Sequence, residues 1–246
     1  MEVRVTTEGP VMQIRIDRPD KKNAITVAMY TALADALEQA AADAAIRVVT
    51  IAGSRDIFTA GNDLKDFQQA RPAGPDMPVF RFLRAISSCP KIIIAGVSGA
   101  AVGIGTTMLL HCDLVLAAPE ASFLMPFVDL GLVPEAASSL LLPRLMGRQA
   151  AARHLILAEP FDAATALHYG LVTEIVEADR LDERMRAMAD RIAAKPPEAV
   201  RLTKQLLTSD EGTVAERIAL EGSMFEERLR SAETAQALAA FFGRGK

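Results

Sequence analysis

The chain has 246 residues, 50% apolar, 24% charged and 5% aromatic, which is enough to bury a large core in one big domain or in a domain with an appendage. Lys and Arg number 27 against 31 Asp and Glu, a net charge of −4; no basic run exceeds Lys21–Lys22, so nucleic acid is not an expected partner. Its 2 cysteines, Cys89 and Cys112, form neither a disulfide framework nor a metal-finger spacing, and a reducing, cytoplasmic setting is the expectation.

In chain order, residues 2–8 and 11–17 read as two strands around Gly9-Pro10, a hairpin signal. The first five residues alternate polar and apolar, without the apolar run of a signal peptide. Thr26 is placed to cap a helix reaching about Asp43, with Met29, Leu33, Leu37 and Ala40 on one face. Arg47–Ala52 is a β-branched run ending at Gly53 and reads as a buried strand. Residues 90–97 and 113–117 read as two more, with a helix over 78–87 whose Arg81 and Arg84 are expected on a solvated face.

The stretch Ile92–Leu110 carries no charge and is long enough to cross a bilayer. Gly96, Gly99, Gly103 and Gly105, with Ser98, Thr106 and Thr107, divide it into a strand, a glycine turn and a buried helix instead, so no membrane association is expected. Alternating β and α through residue 150 argues for stacked β/α units and a largely parallel sheet. Beyond residue 148 the pattern turns helical apart from a strand at 172–176. Leu181, Met185, Met188 and Ile192 form one stripe; Ile218, Gly222, Phe225 and Leu229 form another, which Ala235, Leu238 and Phe242 continue. Pro196-Pro197 separates two of these helices. Stripes wider than their own helices cover predict packing against a core or another subunit, hence an oligomer.

Three segments have the residues for chemistry. In Phe58-Thr59-Ala60-Gly61-Asn62-Asp63-Leu64, a glycine precedes a helix start capped by Asn62-Asp63, leaving outward-facing N–H groups. It reads either as a plain strand–helix connection or as a donor site. Residues 98–106, with glycines in a G-xxx-G-x-G order, match neither a dinucleotide fingerprint nor a P-loop. They leave a helix N-terminus over 104–110 that is either a packing cluster or an anion site. If each loop aimed one N–H at the same atom, the pair would make an oxyanion hole.

In the third segment, Gly131–Ser139, Glu135 is the sole charge between Asp129 and Arg144, at the mouth of a helix expected over 136–146. It is either a helix-start carboxylate complementing the dipole or a general base in an apolar pocket, with its pKa raised by desolvation. A Ser98–His111–Asp113 triad lacks the nucleophile elbow. His154 and His168 read as structural, and the histidine spacing does not make a metal site.

Taken in order, these segments resemble the crotonase superfamily, the enoyl-CoA hydratase/isomerase family, over essentially the whole chain. The resemblance is carried by Arg18-Pro19 with Lys22-Asn23-Ala24, by Ala60-Gly61-Asn62-Asp63-Leu64, and by Ser98-Gly99 with Gly103-Ile104-Gly105. Cys112-Asp113, Phe123 with Pro126, Gly131-Leu132-Val133-Pro134 and Gly170-Leu171-Val172 complete it.

It implies an α/β fold, a crotonase-type spiral of ββα units over residues 1–190 with a helical trimerisation region over 191–246, assembled as a homotrimer or dimer of trimers. It also implies an acyl-CoA thioester as substrate, with coenzyme A entering only as part of that substrate and no separate cofactor. The thioester oxygen would be held by the main-chain N–H groups of Asn62 and Ile104. Coenzyme A would lie along Lys22, Ala24, Ala60, Gly61, Asp63 and Leu64, with help from Phe241 and Arg244 of a neighbouring subunit. Gly103, Gly105, Phe127 and Leu132 would surround the acyl part.

The two positions at which hydratases of the family carry glutamates hold Thr107 and Phe127 here, while Glu135 follows Val133-Pro134. That arrangement is similar to the Δ3,Δ2-enoyl-CoA isomerases, whose single carboxylate follows a G-L-x-P sequence. It implies that Glu135 moves a proton from C2 to C4 through a dienolate, with Phe127, Leu132 and Met125 excluding water. Hydration or thioester hydrolysis, with Ser138 or Ser139 holding water, is the competing chemistry within the family. A non-catalytic acyl-CoA-binding subunit competes from outside it.

Overall fold

A hairpin opens the fold: β1 (Val3–Glu8) and β2 (Val11–Ile16) pair antiparallel across Gly9-Pro10. The structure, a computed structural model, describes residues 2–70, 74, 77–209 and 212–243. After the hairpin come α1 (Val27–Ala42), β3 (Val48–Ala52), β4 (Ile57–Thr59), α2 (Leu64–Ala70), α3 (Pro78–Ser88), β5 (Ile92–Val97), β6 (Ala100–Val102) and α4 (Ile104–Thr107). Next are β7 (Leu114–Ala117), β8 (Ser122–Leu124), α5 (Ser138–Met146), α6 (Arg148–Leu155), β9 (Phe161–Asp162), α7 (Ala163–Tyr169), β10 (Glu174–Ile175) and α8 (Leu181–Ala193). Chain contacts group residues 1–189 into one unit and 190–246 into a second.

In the first unit a six-stranded sheet runs in the order β1-β2-β3-β5-β7-β10, parallel from β2 onward. Its central strands β3, β5 and β7 are predominantly apolar, as expected when both faces are covered; all five residues of β3 are buried. The α1 helix starts where Thr26 Oγ1 accepts the Met29 N–H at 3.2 Å, and it buries Met29, Leu33, Leu37 and Ala40 as the period requires. Gly96 in β5 lets α8 pack closely: a Cβ there would lie 2.4 Å from Met185 Sδ, and the methionine would have to move aside.

Several expectations need correction. A second sheet, β4-β6-β8-β9, was not foreseen. Its strands have only two or three residues, too short for alternation to register. The region after residue 148 therefore contains β9 as well as β10. The helix expected over 104–110 is one α-turn followed by a 3-10 turn, Met108–His111. The helix expected from residue 136 begins at Ser138. Arg81 does not sit on a merely solvated face: its Nε reaches Glu38 at 2.9 Å and an Nη reaches Asp35 at 2.7 Å, both on α1.

The second unit contains α9 (Pro197–Thr208), α10 (Val214–Leu229) and α11 (Ala232–Gly243). A capping box at Thr213 and Glu216 starts α10. Glu233 of α11 pairs with Arg228 and accepts the Glu198 N–H at 3.1 Å, tying the three helices together. The α10 stripe Ile218, Phe225 and Leu229 is exposed in the single chain, and α10 and α11 bury no residue. No helix among the described residues is long and apolar enough to cross a membrane.

Candidate active site

The site begins where two neighbouring parallel strands end. β4 and β6 pair with Ile57 opposite Ala100 and Thr59 opposite Ala101, so the chain leaves both in the same direction. Residues 60–62 thus emerge beside residues 103–104. Gly61 (φ +88) makes the closest approach: a Cβ there would lie 2.8 Å from Val102 O. At Gly105 a Cβ would meet Thr59 Cγ2 at 2.5 Å. The glycines are therefore required by contact between the two loops as well as by turning.

Which N–H groups remain unused follows from the hydrogen bonds of each loop. Ala60 N–H donates to Lys22 O (2.9 Å) and Gly61 N–H to Thr59 Oγ1 (3.1 Å). Asp63 N–H donates to Ile25 O (2.9 Å), while Ile25 N–H donates to Gly61 O (2.8 Å). In this parallel bridge the Asn62 N–H points away from its partner, and it has no backbone acceptor among the described residues. On the other loop, Gly103 N–H donates to Leu124 O (2.8 Å), and Thr106 and Thr107 N–H donate to Gly103 O (3.0 Å each). The Ile104 N–H, first in α4, has no intrahelical partner and no backbone acceptor among the described residues. Two N–H groups without a backbone acceptor among the described residues thus emerge from the adjacent ends of β4 and β6, the type of donor pair from which an oxyanion hole can be built.

Buried polar side chains fix the first loop. Asn23, fully buried, accepts the Arg18 N–H at 2.7 Å and donates to Ile57 O and Phe58 O at 3.0 and 3.1 Å. Lys22 and Asn23 adopt left-handed φ values of 51 and 56° to make this turn. Arg18 donates to Asp63 Oδ2 at 2.8 Å and to Ala24 O at 3.0 Å, and this guanidinium holds the Asp63 carboxyl below the usual carboxylate range. Tyr30 O–H donates to Asn62 Oδ1 at 2.5 Å. Its ring is fully buried and packs on Phe67 and Phe82, with centroids 5.9 and 5.5 Å away.

Glu135 reaches the same place from a third direction. Its carboxylate Oε1 accepts from Thr107 Oγ1, three residues along α4 from Ile104. Burial pushes the Glu135 carboxyl up, against the hydrogen bond from Thr107, which pulls it down. Tyr30, near enough to feel the Glu135 charge, has its own pKa pushed well up, chiefly by burial. The carboxylate, the buried phenol and the two loops therefore form one cluster.

Glu135 does not open a helix. Ala136 and Ala137 follow it at φ 54 and 55°, so two left-handed residues separate it from α5, and the helix-dipole reading fails. The segment is pinned instead through its main chain: Ser138 N–H and Oγ–H donate to Glu135 O at 3.0 and 2.7 Å. His111 Nε2 lies 2.8 Å from Ala136 O, which makes that nitrogen the protonated one because a carbonyl can only accept. Ser138 is thereby committed to a backbone carbonyl and Ser139 is exposed; the hydroxyl on the carboxylate belongs to Thr107.

Of the remaining sequence candidates, Phe127 and Met125 are buried, 7% and 0% exposed. Leu132 is 54% exposed, so in the single chain it does not exclude water. Gly103 and Gly105 lie beside the donors. Ala24 and Ala60 are half-buried, while Lys22 and Leu64 face solvent at the outer end of the first loop. Phe241 is exposed on α11, and Arg244 lies outside the described residues. Sequence reasoning dismissed Thr107 and passed over Tyr30. The signal for Tyr30 was present: it is one of 2 tyrosines, on the buried stripe of α1, and a buried phenol needs a polar partner. Among the described residues no group of His, Cys, Asp and Glu is arranged to hold a metal.

The sequence profile of the enoyl-CoA hydratase/isomerase family matches residues 6–246. The chain belongs to that family. It is 32% identical over 246 residues to the 1,2-epoxyphenylacetyl-CoA isomerase of Escherichia coli, covering 96% of this chain and 94% of that protein. It is 35% identical over 215 residues to rat enoyl-CoA delta isomerase 2, covering 85% of this chain and 55% of that longer protein. Among solved structures, a Magnetospirillum magneticum protein superposes with a TM-score of 0.96 at 41% identity, covering 99% of this chain and 96% of the other. An enoyl-CoA hydratase/isomerase from Pseudoalteromonas atlantica does so at 0.83 and 41%, covering 99% and 98%. The fold is thus the crotonase fold, and the protein is an acyl-CoA-processing enzyme of the isomerase/hydratase type.

Proposed function

We propose that the enzyme is a Δ3,Δ2-enoyl-CoA isomerase. The observation that carries this reading is a single carboxylate, Glu135, held by Thr107 beside the two free N–H groups. In a 3-enoyl thioester the C2 proton is acidified by both the carbonyl and the double bond. Glu135 takes that proton; the C2–H electron pair moves into a dienolate whose oxygen charge rests on Asn62 N–H and Ile104 N–H. The protonated Glu135 then gives its proton to C4, leaving the conjugated 2-enoyl thioester and restoring the carboxylate. The raised pKa suits a group that must first accept and then release a proton. Atoms and charge balance with the substrate alone, so the reading needs no further cofactor. Coenzyme A would run outward past Ala60 and Asp63 to Lys22.

Similarity to enoyl-CoA delta isomerase 2 supports the reading. The test is turnover of 3-hexenoyl-CoA without cofactor, followed by the ultraviolet absorbance of the conjugated thioester, with Glu135→Gln beside the wild type. Conjugation in the wild type and a loss of about 10³-fold in the variant are expected for a positioned acid/base. Hydration of 2-enoyl-CoA or release of free thiol, without conjugation of the 3-enoyl substrate, would overturn it.

A further inference from the structure

Thr107 is fully buried, and its hydroxyl has two acceptors within reach. It donates to Glu135 Oε1, with Gly103 O at 3.3 Å as the second. A hydroxyl has one proton, and the nearer, ionised oxygen takes it. Gly103 is the residue immediately before the Ile104 donor, so a single side chain touches both the base and the start of the oxyanion turn.

We propose that Thr107 is a positioning residue for the base: its hydroxyl occupies Glu135 Oε1, so that Oε2 alone carries the proton from C2 to C4. When Oε2 takes the C2 proton, the charge on Oε1 that attracts the Thr107 proton disappears. The hydroxyl then has Gly103 O as its alternative acceptor, without leaving its rotamer. When Oε2 releases the proton to C4, the hydroxyl returns to Oε1. The carboxyl keeps one orientation through both transfers, which is what a single base serving two carbons requires. This rests on the isomerase reading for its direction of proton flow, though not for the contact itself.

Other titratable groups face this segment without replacing that contact. Tyr30 of α1 is committed to Asn62 Oδ1, and His111 of the 3-10 turn after α4 reaches the Ala136 carbonyl. Burial is the opposing influence on Glu135. Removing the Thr107 hydroxyl leaves that influence unopposed, so the carboxylate becomes harder to form.

The experiment compares Thr107→Val, which keeps the volume, Thr107→Ala, which guards against misfolding of the first, and Thr107→Ser, which restores the hydroxyl. The pH profile of kcat/KM for 3-hexenoyl-CoA is read for each. The acidic limb should move to higher pH in Val and Ala and return in Ser. Turnover kcat should fall about tenfold, as for a lost hydrogen bond to a charged group, with KM within twofold. Independently of turnover, the Glu135 carboxyl is titrated by 13C NMR, its signal identified by its loss in Glu135→Gln. Its midpoint should rise in Val and Ala and return in Ser. An unchanged limb together with an unchanged NMR midpoint overturns this inference, even if the wild type is an isomerase. If the wild type fails to conjugate the substrate while the NMR midpoint moves as stated, the isomerase reading falls and the Thr107–Glu135 pairing stands.

Discussion

The two halves of the site are held in different ways. The donor half sits on the paired ends of β4 and β6, where a hydrogen-bond partner accounts for each N–H of residues 60–63 except that of Asn62. Glycines there fill spaces too small for a methyl group. The base half has no strand beneath it. Glu135 follows the exposed Leu132 and Val133 and precedes two left-handed alanines, and it is fastened by Ser138, His111 and Thr107. In the proposed isomerisation the donors hold a charge that appears at one fixed atom, whereas the carboxylate reaches two carbons. Rigid backbone serves the first task, and a side chain held at one oxygen serves the second.

Perturbing each half separately should make this contrast measurable. Beyond the loss already expected for Glu135→Gln, the largest effect belongs to the donor side. Gly61→Ala would put a Cβ 2.8 Å from Val102 O at a φ of +88°. Displacing the Asn62 N–H is expected to cost about 10²–10³ in kcat/KM, as for loss of one oxyanion donor, measured by steady-state turnover. A result within threefold of wild type would show that the loop is not rigid. Tyr30→Phe keeps the ring against Phe67 and Phe82 but orphans Asn62 Oδ1, and a fall of about tenfold in kcat is expected. A change in KM alone would place Tyr30 outside oxyanion positioning.

On the base side, relaxing the backbone should stabilise the fold. The exposed Ala137 sits at φ 55°, so Ala137→Gly should add about 0.5–1 kcal/mol in urea unfolding, the relief of left-handed strain less the entropy cost of glycine. Loss of stability would mean that the alanine pair is not strained. The smallest effect concerns Glu135 itself. Because its folded-state pKa is raised, its ionised form weighs against folding. Its linkage stabilisation is complete below the unfolded carboxylate value, near pH 4, and is lost as pH rises through the folded value. Glu135→Gln should therefore melt above the wild type at pH 8, with the gap closing toward pH 4. Parallel melting curves at both pH values would contradict the burial.

Much of the large sheet was legible because β3 and β5 at its centre are five- and six-residue runs rich in β-branched residues, and α1 because its cap and stripe agree. The second sheet was not. Its strands are two or three residues long, and their pairing is decided by neighbours 20 to 45 positions away. The same holds within the site. Asn62 and Ile104 could be named as paired donors from loop chemistry and resemblance, because main-chain donors depend on backbone turns that glycines mark. Thr107 looked inert because its type cannot act as an acid or a base at the position where hydratases of the family carry a glutamate. Ser138 looked available because it is near Glu135 in sequence, yet its hydroxyl turns to the main chain.

By itself the sequence determined the periodicities, the caps, the glycines and a lone carboxylate in an apolar stretch, since all of these act over a few residues. Only the tertiary structure decided which hydroxyl faces that carboxylate, that a phenol from α1 supports Asn62, and that two left-handed alanines remove Glu135 from its helix. Those outcomes depend on packing between segments far apart in the chain, where burial and hydrogen-bond satisfaction are settled by whichever groups arrive together.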